Sequence, residues 1–375
     1  MEQMEASNTL EQIMIDKAKN TRTPISGSLE LLPICNMNCE MCYVRLSREE
    51  MEAQGRMRSL DEWVAVGEQM KQAGVLFLLL TGGEPLLYPH FRELYLQLRE
   101  MGMILTINTN GTLIDEEMAE FFGKYPPRRV NITLYGADET AYRELCHYPG
   151  GFEKVVHAVE LLREHGVDVK LSSSVTKANE DDIDRMLEIA NRLEVPIRMD
   201  TYMMPAERER NKPYNMQFRL LPERAAKARV QALEGEMGPE LFRQYVEQSI
   251  AKVENGTEEK RTEQMSCLAG NCSFTINWQG YMRPCVVMSK PSVSVFDVGF
   301  EHAWDAIVKE TGQIRINRKC STCIYRSLCR TCAASAVLET GEYGGVPEYM
   351  CRYAEETYRL LKEKKGSYNG KETLC

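Results

Sequence analysis

Eleven of the thirteen cysteines in this chain fall into two groups whose spacing suits metal chemistry. Cys35, Cys39 and Cys42 form C-x3-C-x2-C on a loop that also holds Asn36, Met37 and Asn38. Three thiolates on one short loop can bind three irons of a [4Fe-4S] cluster and leave the fourth iron open to a chelating substrate. A zinc site is the competing reading, because C-x2-C is common in zinc modules; it would need a fourth ligand, and His90 is the first histidine downstream. The second group reads Cys267-x4-Cys272-x12-Cys285, then Cys320-x2-Cys323-x5-Cys329-x2-Cys332, then Cys351. Eight thiolates suit two clusters of four ligands each, or a pair of structural zinc sites. Cys146 and Cys375 stand apart, and Cys146 reads as a buried, apolar-type cysteine.

One further segment carries chemistry. Gly82-Gly83-Glu84-Pro85 follows an apolar run. Two glycines let the backbone approach a ligand closely, and a carboxylate there can accept hydrogen bonds from an ammonium group. The plainer reading is a turn that ends a strand.

The elements that must position these groups alternate short β-rich runs with amphipathic helices, the pattern of a parallel sheet with crossover helices. The expected strands are Leu29 to Ile34, Val75 to Thr81, Ile104 to Asn108, Val130 to Leu134, Val169 to Val175 and Ile197 to Thr201. Ser59 with Glu62 makes a capping box, and Gly74, Gly102 and Gly166 mark helix ends. Six βα units can curl into an open partial barrel, with chemistry at the C-terminal ends of the strands, where the motifs fall. The expected class is α/β: an N-terminal extension over 1–28, a partial (βα)6 barrel over 29–205, a helical connector over 206–264, a small cysteine-rich domain over 265–365 and a polar tail over 366–375.

The net charge of -9 argues against nucleic acid as the main substrate, and Arg208 to Lys212 reads as a solvated surface turn. The polar, acidic stretch Met1 to Asn20 is no signal peptide, and the longest apolar run, Val75 to Leu80, is too short to span a membrane. A cytoplasmic protein is the expectation, and there thiols stay reduced, so metal ligation outranks disulfides.

Taken together, the cysteine triplet and the Gly82–Pro85 segment resemble the radical SAM superfamily, whose members cleave S-adenosylmethionine (SAM) to a 5′-deoxyadenosyl radical. The later cysteines, with Gly280 before Cys285, resemble its SPASM extension, although x2 stands between Cys329 and Cys332 where x3 is usual. The resemblance implies SAM and three [4Fe-4S] clusters as cofactors. It places the SAM amino group at Gly82, Gly83, Glu84 and Pro85, Met41 and Tyr43 near the adenine or cluster, and Asn110, Thr133 and Ser174 at the ribose, carboxylate or substrate. It also implies Cys267, Cys272, Cys285 and Cys332 as ligands of a first auxiliary cluster and Cys320, Cys323, Cys329 and Cys351 as ligands of a second; some relatives leave one iron of the first open. Where many members carry an arginine, this chain has Cys146.

The activity so implied is oxidative modification of a peptide or protein side chain, with a flavodoxin- or ferredoxin-type electron donor. Only 28 residues precede the first expected strand, so a leader-binding module is expected to be absent, and a leader would be held by a separate protein or by the barrel and connector. Val286 stands where the sulfatase-maturating enzymes carry an aspartate base, which disfavours their reaction. Asp200 and Tyr202 are candidates for substrate contact. Two other readings remain: a small-molecule enzyme of haem-related or sugar and alcohol oxidation, and a non-catalytic metal-binding scaffold.

Overall fold

The computed structural model describes residues 2–205, 216–255, 263–265, 267–329 and 331–372. Arg208 to Lys212 and Cys375 lie outside them. Six strands, β1 (Ser26–Glu30), β2 (Phe77–Thr81), β3 (Ile104–Thr109), β4 (Arg129–Thr133), β5 (Val169–Ser174) and β6 (Ile197–Asp200), pair in parallel and in order. Three more, β7 (Ser273–Ile276), β8 (Tyr281–Arg283) and β9 (Val293–Ser294), extend the sheet, with β7 parallel to β1. The cysteine-rich segment therefore shares one sheet with the barrel.

Period-two alternation decides which groups face inward. Leu29, Leu80, Ile107, Ile132 and Leu171 are buried beneath the crossover helices. The intervening Ser28, Thr81, Asn108, Asn131, Thr133, Ser172 and Ser174 line cavities on the opposite, concave side. Such a curled sheet collects polar side chains from five neighbouring strands.

Helix ends follow the sequence. Ser59 caps Leu60–Gln72 in a capping box with Glu62, and the helices Phe91–Glu100 and Gly151–Glu164 end just before Gly102 and Gly166. The first strand sits three residues earlier than its apolar run suggests. Leu31 to Ile34 leaves the regular ladder because it is clamped by the loop after β2, Gly83 N–H donating to the Leu32 carbonyl (2.7 Å) and Glu84 N–H to that of Ile34 (2.9 Å).

Two segments differ from the sequence reading. The N-terminal extension is a helix, Glu2–Thr21, whose Ala18 packs with Ile25, Leu76 and Cys272 at the starts of β1, β2 and β7. The expected tail continues the last helix, Glu348–Glu372. That helix packs against the connector helices Pro222–Met237 and Pro239–Glu254 around Val230, Phe242, Val246, Ile250 and Leu361. Arg219 stacks 3.6 Å from the centre of the Tyr349 ring, which fixes the returning helix and the Cys351 it carries.

Candidate active site and cysteine clusters

The cysteine loop leaves β1 and is held from three sides. Beneath it, Gly82 and Gly83 permit contact that no side chain allows: a Cβ on Gly83 would stand 2.3 Å from the Ile34 carbonyl oxygen, and one on Gly82 2.5 Å from that of Leu32. The glycines thus serve the approach of the chain's own cysteine-bearing segment, while both also line the cavity above. From β3, the Asn110 amide donates to Asn36 Oδ1 (2.8 Å) and reaches Cys35 Sγ (3.6 Å), and the Asn36 amide donates to Thr112 Oγ1 (2.8 Å). On the far side, Asn38 N–H and Glu40 N–H donate to the carbonyls of Cys146 and Leu145, both at 2.9 Å.

Cys35, Cys39 and Cys42 converge on one cavity of about 240 Å³. Met41, Tyr43, Gly82, Gly83, Asn110, Thr133 and Ser174, all expected at this site, line it too. Asn108, Asn131 and Tyr135 join them without having been singled out from sequence. Their signal was there, since Asn108 and Asn131 are polar residues at inward positions of apolar strands, paired in register and joined by a 2.8 Å hydrogen bond.

Glu84 and Pro85 do not line the cavity. Glu84 is fully buried and ties two strand ends together, accepting from Thr109 Oγ1 (2.8 Å), Asn110 N–H (2.8 Å) and Leu86 N–H (3.1 Å). Burial outweighs these donors and pushes its carboxyl up to about 7. Asp200 and Tyr202 also stand outside, Asp200 exposed near Arg198 and Tyr202 packed on Tyr353. Cys146 is fully buried, as expected, but against Cys39: their hydrogen bond holds the Cys39 thiol below its ordinary value, while burial and that same bond drive Cys146 up.

The triad fits a cluster with an open iron. Burial pushes the Cys35 thiol up to about 12, so loading would expel a proton, and backbone N–H groups of Met37 and Arg45 point at Cys35 Sγ (3.4 Å) and Cys42 Sγ (3.3 Å). Such N–H···S bonds tune bound clusters. Among the described residues, no three His, Cys, Asp or Glu side chains are drawn together around a single metal-ion position.

The later cysteines separate into sets. Cys351 is raised by burial and then by its neighbours Cys329, Cys320 and Cys323, which places these four together. Cys285 is raised by burial and, more weakly, by Cys332 and Cys267. Cys332 caps the helix Ala333–Thr340, its sulfur accepting from Ser335 N–H at 3.5 Å. Burial raises Cys272, with Lys19 and Arg22 opposing it and Cys267 adding to it more weakly.

A second cavity of about 350 Å³ adjoins the first, sharing Tyr43, Val44, Thr81, Gly82 and Asn108 with it and reaching Cys285 and Val286. Glu30 is the carboxylate in its lining, and Val286 offers no proton acceptor.

Residues 29–190 match the model of the Radical SAM superfamily. They are a radical SAM domain. The chain is 24% identical to the AdoMet-dependent heme synthase of Methanosarcina barkeri over 86% of its own length and 95% of that protein. It is 27% identical to the sporulation killing factor maturation protein SkfB of Bacillus subtilis over 44% of this chain and 39% of that one. Its fold is similar to that of Streptococcus suis SuiB bound to the precursor peptide SuiA, with a TM-score of 0.67 and 18% identity over 90% of this chain and 78% of the other. The family implies SAM and a [4Fe-4S] cluster, and the triad that faces the first cavity supplies what such a cluster needs. Among the described residues no helix is long and apolar enough to cross a membrane.

Proposed function

We propose that this radical SAM enzyme reductively cleaves SAM at Cys35, Cys39 and Cys42 and oxidises a peptide or protein side chain, with two auxiliary clusters on the later cysteines. The observation that carries the oxidative reading is the pair of adjoining cavities that leads from the triad past Gly82 to Cys285. When bound, the cluster and SAM supply a 5′-deoxyadenosyl radical that removes a hydrogen atom from the substrate. Gly82, Gly83, Asn110, Thr133 and Ser174 hold SAM on the concave face, and the sheet and cysteine loop keep water from the reacting carbon. Glu30, buried in the second cavity, is placed to take the proton that an oxidised substrate releases. The cysteines beyond it would hold the clusters that could accept the departing electron, and a flavodoxin or ferredoxin would serve as external donor.

The similarity to SkfB and to SuiB, which is solved with its precursor peptide, supports a peptide. A separate leader-binding protein would complete that system. The second reading, haem-related small-molecule oxidation, is favoured by the nearly end-to-end match to the heme synthase.

The test is anaerobic reconstitution with iron and sulfide, reduction with dithionite and chromatography for 5′-deoxyadenosine. The enzyme reading requires that product and its loss in Cys35→Ala, Cys39→Ala and Cys42→Ala. Its absence from fully loaded protein favours the metal-binding scaffold. For the substrate class, mass spectrometry of a peptide encoded beside the gene is set against turnover of an iron porphyrin: loss of hydrogen from the peptide supports our reading, and oxidation of the porphyrin alone overturns it.

A further inference from the structure

The three cysteines of the first site are not held alike. Cys35 and Cys42 are half-buried and take donors from the backbone, Met37 N–H and Arg45 N–H. Cys39 is buried, and side chains reach its sulfur. Asn38 and Glu40, on either side of it, donate their N–H groups to the carbonyls of Cys146 and Leu145, which lays Cys39 against Cys146. The Cys146 thiol hydrogen-bonds the Cys39 sulfur from outside the cavity. From the cavity side the Tyr135 hydroxyl does the same.

Both partners are fixed in place and both stay donors. Tyr135 follows β4, where its carbonyl accepts from Asn179 Nδ2 (2.6 Å), its N–H donates to Tyr142 Oη (3.4 Å) and its ring meets that of Tyr142 edge-on at 5.7 Å. Cys146 is fully buried in the same core as Tyr142 and Leu145. Burial drives the Tyr135 hydroxyl and the Cys146 thiol well above their ordinary values, so both keep their protons across the physiological range. The Cys39 thiol shows the effect. It is held low, first by Cys146 and then, against its own burial, by Tyr135, whereas burial raises Cys35 on the same loop to about 12 against its Met37 donor.

We infer that Tyr135 and Cys146 are positioning residues of the first cluster: the phenol O–H and the thiol S–H donate to Cys39 Sγ and make the bound cluster easier to reduce. The inference rests on the reading of Cys35, Cys39 and Cys42 as cluster ligands. Reduction adds negative charge that the ligand sulfurs share, and a donor aimed at one of them favours the charged state, most of all where water is excluded. The two side chains thereby set a balance: they help an external donor load the electron, and they lessen the drive that passes it to SAM. Cys146 stands where many family members carry an arginine, so the thiol donor sets this chain apart from those members.

The test is an anaerobic redox titration of the full-length, reconstituted protein followed by EPR, in which the first cluster's signal is the one that Cys35→Ala, Cys39→Ala and Cys42→Ala together abolish. Tyr135→Phe removes only the hydroxyl, and Cys146→Ala only the thiol. Each should keep the first cluster's iron and lower its midpoint potential by about 59 mV, a ten-fold shift in the one-electron equilibrium. Cys146→Ser restores a donor and should recover most of that shift. Tyr142→Phe is the packing control, because its hydroxyl serves the Tyr135 backbone, and should leave the potential in place. An unchanged potential or loss of the first cluster's iron in Tyr135→Phe or Cys146→Ala, a potential in Cys146→Ser as low as in Cys146→Ala, or an equal drop in Tyr142→Phe overturns the inference. A spectrum that the triple replacement leaves unchanged is a separate failure, which overturns the cluster reading itself.

Discussion

Replacing Gly83 with alanine tests the clamp that positions the cysteine loop. Gly83 does not have the positive φ of its neighbour Gly82, so the substitution carries no backbone strain of its own and its effect is steric. The new methyl would stand 2.3 Å from the Ile34 carbonyl oxygen, 2.6 Å from the Ile34 carbonyl carbon and 2.7 Å from the Pro33 oxygen. All three are backbone atoms, which cannot rotate aside, so Pro33 and Ile34 must retreat by about 1 Å to reach ordinary contact at 3.4 Å. That retreat breaks the bonds from Gly83 N–H to Leu32 and from Glu84 N–H to Ile34. Two lost hydrogen bonds cost about 1 kcal/mol each. Overpacking adds about 1–3 kcal/mol, for a total of about 3–5 kcal/mol. Gly102 is the control, because its φ of +91° lies beside open space, and alanine there meets only the backbone penalty of about 1–2 kcal/mol. Urea denaturation followed by far-UV circular dichroism measures both. After anaerobic reconstitution, Gly83→Ala should also lack the iron of the first cluster while retaining that of the other two. A Gly83→Ala protein that unfolds within about 1 kcal/mol of the parent and loads all its iron would refute the clamp.

Three further outcomes follow from the same region. Glu84 has its carboxyl raised from 4.5 to about 7 by burial, so between those values the folded chain binds more protons than the unfolded one. Stability then falls as pH rises through that window, by roughly 3 kcal/mol in all, and Glu84→Gln should flatten the slope; equal slopes between pH 5 and 8 in urea melts would sink the argument. Asn110→Ala removes the amide that holds Asn36 and Cys35 but keeps the backbone N–H that serves Glu84, and iron should leave the first cluster about ten-fold faster in the presence of a chelator, as for a loss of about 1.4 kcal/mol; an unchanged rate speaks against the pin. Cys146→Ala should retain the full iron of the first cluster, because Cys146 lies outside the cavity that the triad faces, and loss of that iron in a metal assay would make Cys146 a ligand.

What the sequence could convey depended on whether a signal was local. Alternation within a strand is local, so the βα order was legible and attention to that period would have found Asn108 and Asn131, whereas Thr133 and Ser174 were expected only through the family resemblance. The glycines were legible as a place of close approach, but the approaching group was not: Pro33 and Ile34 are about fifty positions away in the chain, and nothing in Gly82–Pro85 distinguishes a ligand from a neighbouring segment. The same limit applies to Glu84, whose type suits an ammonium partner and whose carboxylate also joins the ends of β2 and β3. The N-terminal helix escaped notice because the burial of Ala18, the fully enclosed position among its described side chains, needs Ile25 and Cys272 to be brought to it by the sheet. Cys272 meets the same limit: by type and spacing it groups with the later cysteines, while the residue that packs on it, Ala18, comes from the other end of the chain. Spacing reports which thiols could reach one site, and packing between distant segments is not written in it.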